Sequence, residues 1–146
     1  MRRSALLLCA AAALAAAGSA GAKTLPGISS PSGNIRCLLV SAAPEELLCD
    51  LKQADYASKL VHHCASAPYF VDWAGFSLSA AGKSVVACAG GPAYDPSTEH
   101  PRYATIAYGR SWHRGPFTCR SAQSGMTCIN SAGHGFFLSR QAWRSF

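Results

Sequence analysis

Six cysteines constrain this 146-residue chain more than any other feature. They are Cys37, Cys49, Cys64, Cys88, Cys119 and Cys128. A seventh, Cys9, falls in an N-terminal stretch with the marks of an export signal. Arg2 and Arg3 come first, Ala5 to Ala17 is apolar, and Ala20-Gly21-Ala22 precedes Lys23 as a small-residue cleavage site. The apolar run, about 13 residues, is shorter than the ~20 that a transmembrane helix needs. Leu6-Leu7-Leu8-Cys9 does not read as a lipoprotein signal, because the cysteine precedes most of the run. The expectation is cleavage near Ala22 and a secreted or periplasmic chain with no transmembrane segment after it. An even cysteine count behind such a signal implies three disulfides formed in an oxidising compartment.

Six cysteines allow fifteen connectivities, and the alternation around each one selects among them. Ile35, Cys37 and Leu39 share one face of an extended run, as do Leu47, Cys49 and Leu51 in the next. Adjacent strands with facing cysteines predict Cys37–Cys49. Phe117 and Cys119 face one way, as do Met126 and Cys128 across Ser-Ala-Gln-Ser-Gly, which predicts Cys119–Cys128. Phe76, Leu78 and Ala80 alternate with serines, and Ser84 to Ala89 returns after Ala81-Gly82-Lys83, read as a tight turn with Gly82 at positive φ. Cys88 has no cysteine on its hairpin partner, so it is paired with Cys64.

The remaining stretches are assigned by their turn signals. Residues 1–22 are the signal, 23–32 a flexible Gly/Pro/Ser-rich tether, and 33–146 one β domain. Gln53 to Pro68 reads as a crossing loop, Tyr69 to Asp72 as a short extended piece, and Gly90 to Pro101 as another loop. Tyr103 to Tyr108 reads as a strand, and Ser139 as the cap of a last helical turn carrying Trp143. No segment holds a 3.6-residue period over two turns. The fold class is therefore all-β: a small, disulfide-stapled antiparallel sandwich or barrel built from hairpins.

Five runs carry a resemblance. They are Ser-Pro-Ser-Gly-Asn-Ile-Arg-Cys at 30–37, Leu-Cys-Asp-Leu at 48–51, Gly-Pro-Phe-Thr-Cys at 115–119, Ser-Gly-Met-Thr-Cys-Ile-Asn at 124–130, and Gly-His-Gly-Phe-Phe-Leu-Ser-Arg at 133–140. Together they resemble an uncharacterised family of small secreted bacterial disulfide-bonded proteins. In that family an S-P-S-G-N-I-x-C start and a G-H-G-F-x-L-S-R end bracket a domain of this size. The resemblance implies an exported β domain with neighbouring cysteines paired, and it brings no catalytic residues. The family's acidic residue after Cys-x-Gly is missing, since Ala89-Gly90-Gly91-Pro92 follows Cys88.

Candidate chemistry is sparse. Paired cysteines offer no nucleophile. His62-His63-Cys64 does not converge on an extended chain, so no metal or cofactor is expected. There is no Gly-x-Ser-x-Gly, and Gly82-Lys83-Ser84 lacks the upstream glycine of a phosphate loop. His134, between two glycines, is the best candidate base, with Asp72 or Asp95 as a nearby acid. A binding patch is read at Arg110, Trp112, His113 and Arg114, within a wider interleaving of Arg102, Tyr103, Tyr108 and Arg120. Removing Arg2 and Arg3 lowers the formal charge from +6 to +4, which does not suggest nucleic acid as a partner. The functional expectation is an exported, non-enzymatic binding or envelope-associated module whose partner is an anionic glycan or envelope component. The alternative is a small extracytoplasmic hydrolase using His134.

Overall fold

The computed structural model describes residues 23–40, 45–65, 72–88 and 99–146. The first sheet contains β1 (Lys23–Ser29), β2 (Ile35–Val40), β3 (Glu46–Leu51), β4 (Trp73–Ser79), β5 (Val85–Cys88) and β6 (Glu99–Thr105), in the order β5-β4-β3-β2-β1-β6. All its pairings are antiparallel except β1 with β6. The second is an antiparallel meander of β7 (Ser111–Arg114), β8 (Phe117–Ala122), β9 (Gly125–Ile129), β10 (Gly135–Leu138) and β11 (Trp143–Ser145).

Alternation decides which side of each sheet is dry. Ile35, Cys37, Leu39, Leu47, Cys49, Phe76 and Leu78 from the first sheet join Phe117, Cys119, Met126, Cys128, Phe136 and Leu138 from the second in one buried cluster. Phe76 packs against Phe136 with ring centroids 6.2 Å apart, and against Trp143 at 5.0 Å. Burying each phenylalanine contributes roughly 1.5–3 kcal/mol, so these aromatic contacts between the sheets supply much of the drive for closing them together. Three disulfides join Cys37 to Cys49, Cys64 to Cys88 and Cys119 to Cys128. The first and third link directly opposed residues of neighbouring strands.

Several segments differ from the sequence reading. Residues 23–29 of the expected tether form β1, which lies inside the first sheet between β2 and β6 and buries Leu25 and Ile28. Its partner β6 begins at Glu99, within the expected loop, and ends at Thr105. Within the expected crossing loop, Ala57–Ala65 forms the helix α1. Tyr56, Leu60 and Cys64, four residues apart, give it a buried stripe, and the Cys64–Cys88 bridge ties it to β5. Ser139 caps a tight turn that returns the chain into β11 as a strand, not a helix; its hydroxyl accepts from the Ala142 N–H at 3.0 Å.

Gly82 does not adopt a positive φ. Its N–H donates to Ser79 Oγ at 3.0 Å, so a side chain closes that turn. Gly75 does need glycine: at φ 124° it forms a bulge in β4, and a Cβ there would lie 2.2 Å from the Cys49 carbonyl oxygen. Residues 69–71 of the expected extended piece lie outside the described residues. Among the described residues no helix is long and apolar enough to cross a membrane.

Candidate functional site

His134 closes the turn between β9 and β10, and its main chain is held from both sides by Asn130. Asn130 Oδ1 accepts the His134 N–H at 3.0 Å, and the Asn130 N–H donates to the His134 carbonyl at 2.8 Å. The buried Asn130 amide also donates to the Ser79 and Gly82 carbonyls at 2.9 and 2.7 Å, locking this turn onto the β4–β5 hairpin. The half-buried imidazole makes no hydrogen bond or ion pair with any described residue, Asp72 included. Asp95 lies outside the described residues. The position is fixed by backbone contacts, with no acid or hydroxyl aligned for proton transfer among the described residues.

The Arg110–Arg114 segment is divided by strand alternation. Trp112 and Arg114 sit opposite the inward-facing Cys119 and Phe117, so they lie on the core side of the edge strand β7. Ser111 and His113 lie on the other side, where His113 Nδ1 is 2.9 Å from Thr118 Oγ1. Arg110 belongs to the connection before β7, its carbonyl accepting from the Ser121 N–H at 3.0 Å. The structure brings Trp112 and Arg114 together with Arg102 and Tyr103, and leaves Arg110 and His113 outside that grouping.

These four residues line a groove of about 420 Å³ along the open edge of the sandwich, between β6 and β7, with Pro26, Gly27 and Ala104 completing it. Tyr103 presses so closely on β1 that a Cβ at Gly27 would lie 2.8 Å from its Cδ1. The Arg36 guanidinium stacks 5.6 Å from the Tyr103 ring centroid and pairs with Asp50 at 2.5 Å. Trp112 is half-buried against the core. Arg102 and Arg114 are exposed and form no ion pair with a described residue. The groove thus brings two aromatic side chains and two cations into one lining. Charges on edge strands also keep those edges from pairing with another chain.

A second concavity, about 440 Å³, opens among loops of both sheets. It joins the turn at Ser30–Asn34, Lys52 and Gln53 beyond β3, Tyr108, the β8–β9 turn, and Ser139–Gln141. The first and last of these belong to the runs at 30–37 and 133–140, far apart in sequence and adjacent here. Its walls are interlocked. Asn34 Nδ2 donates to the Gln53 carbonyl at 3.0 Å while Asn34 Oδ1 accepts the Gln53 N–H at 2.9 Å. Tyr56 donates its hydroxyl to the Ser139 carbonyl at 3.0 Å, and burial pushes that phenol up to about 12. Arg140 Nε meets Asp55 Oδ1 at 3.2 Å. Sequence reasoning missed this cleft because five separate segments build it, and none has a distinctive pattern alone.

Metal chemistry has little to work with among the described residues. The convergent set there is Cys37, Cys49 and Cys128, whose sulfurs lie within 4.8 Å of one another, and all three are held in disulfides. No curated protein and no solved structure matches the chain. The model of a family of unknown function, DUF6636, matches residues 5–146.

Proposed function

The chain therefore belongs to this family of unknown function, and on its own geometry we propose that it is an exported, non-enzymatic module that binds an anionic glycan of the cell envelope. The observation that carries the reading is the groove that Arg102 and Arg114 line together with Tyr103 and Trp112. Guanidinium groups pair with sulfate or carboxylate, and flat aromatic faces receive the C–H faces of sugar rings. A groove along a sheet edge suits an extended polymer better than a compact metabolite. The N-terminal signal pattern and the three disulfides support export to an oxidising compartment.

The hydrolase reading gains no support from the surroundings of His134, whose main chain serves the Asn130 turn. Retention on immobilised sulfated dextran tests the binding reading. Replacing Arg102 and Arg114 together is expected to shift elution to lower salt, and unchanged elution would remove it.

A further inference from the structure

We infer that the polar cleft at the loop end of the sandwich is a second binding site, for a sugar acid: a hydroxyl-rich ring bearing one carboxylate. No lining residue is shared with the arginine–aromatic groove, so the inference stands apart from the glycan reading. Four properties of the cleft define the ligand.

The first is charge. Among the described residues, Lys52 and Arg140 line the cleft and no carboxylate does. Asp55 already engages Arg140, whereas Lys52 has no side-chain partner among the described residues. Its Nζ lies 3.8 Å from where a Cβ would stand on Gly33, which places the ammonium over the turn at Ser30–Asn34. One unpaired ammonium balances the single charge of one carboxylate, whereas a phosphate ester carries close to two negative charges and would be left partly uncompensated.

The second is hydrogen-bonding type. Gln123, Ser124 and Gln141 bring amides and a hydroxyl to the cleft, and their side chains have no partner among the described residues. Amides both donate and accept, which matches ring hydroxyls that do the same. The third is Tyr108, 43% exposed and lining the cleft, where its ring offers a face for sugar C–H groups. The fourth is preorganisation. Asn34 is locked to Gln53 and Tyr56 to Ser139, so binding costs little ordering of the walls. The volume of about 440 Å³ falls within the roughly 300–1,000 Å³ of small-molecule sites.

The test is amide-resolved NMR titration of the mature protein with D-glucuronate, with glucose and acetate as separate probes. Glucuronate is expected to move the amide resonances of Lys52, Gln53, Ser124, Gly125 and Arg140. Glucose supplies the ring without the charge, and acetate the charge without the ring, so each is expected to bind at least tenfold more weakly. Read at these cleft amides, Lys52→Gln, a change at an exposed position, should weaken glucuronate binding about tenfold, Tyr108→Leu should also weaken it, and Lys59→Gln, at an exposed position lining neither cavity, should leave it unchanged. The inference is overturned if glucuronate moves none of these amides, if acetate moves them equally, or if Lys52→Gln binds as well as the parent.

Discussion

Cys37 Sγ lies 3.8 Å from Met126 Sδ, a contact between β2 in one sheet and β9 in the other. The Cys37, Cys49 and Cys128 sulfurs crowd within 4.8 Å of one another beside it. Both in-sheet disulfides therefore meet in the buried cluster between the sheets, with Met126 packed against Cys37. Met126→Ala is expected to lower stability by about 2–5 kcal/mol, and Met126→Leu by less than about 1.5 kcal/mol. Urea denaturation of both variants checks the ordering.

The Cys64–Cys88 bridge acts differently, because it fastens α1 to the edge strand β5 rather than stitching the core. Leu60 and Cys64 are the buried residues of α1, so the helix depends heavily on that link. Replacing both cysteines with alanine is expected to cost roughly 2–5 kcal/mol. Hydrogen exchange should show α1 losing protection first, with β8 and β9 retaining theirs.

Asn130 satisfies four backbone groups at once: the carbonyls of Ser79 and Gly82 and the N–H groups of Ala132 and His134. Asn130→Ala leaves these groups without their partner in a largely buried place. A loss of roughly 2–4 kcal/mol is expected, greater than that for His134→Ala. Thermal unfolding of the two variants compares them; a larger loss at His134 would contradict the structural role given to the turn.

Tyr56 sets a high-pH limit. Burial raises its folded pKa to about 12 against an unfolded value of about 10. Between these values the unfolded chain releases the proton first, so stability is intact below pH ~10 and falls as pH rises toward 12. Spectrophotometric titration should show one late-ionising tyrosine that Tyr56→Phe removes. The same substitution deletes the bond to the Ser139 carbonyl, costing about 1 kcal/mol at neutral pH.

The hairpins were legible because each carries a cysteine in a period-two apolar row, at Cys37, Cys49, Cys119 and Cys128. β1 was not, because Pro26 and Gly27 read as loop residues, and its partners in β6 lie 76 residues away in sequence. Only that pairing, with Gly27 admitting Tyr103 at close range, makes glycine useful there. The stripe Tyr56, Leu60, Cys64 is the signal that would have revealed α1, but it spans barely two turns. For the basic patch, composition found Trp112 and Arg114. Alternation assigns His113 to the opposite face, and the approach of β6 to β7 selects Arg102 and Tyr103 from the wider interleaving that the sequence had already shown.

The most direct test of the binding account is calorimetric titration of the mature protein with dextran sulfate and, separately, with unsulfated dextran. Exposed charge contacts contribute up to ~1 kcal/mol each. The combined Arg102→Gln and Arg114→Gln variant is thus expected to bind dextran sulfate about tenfold more weakly, with Lys52→Gln unchanged and affinity falling as salt rises. Equal affinity of the double variant and the parent for dextran sulfate would contradict the account.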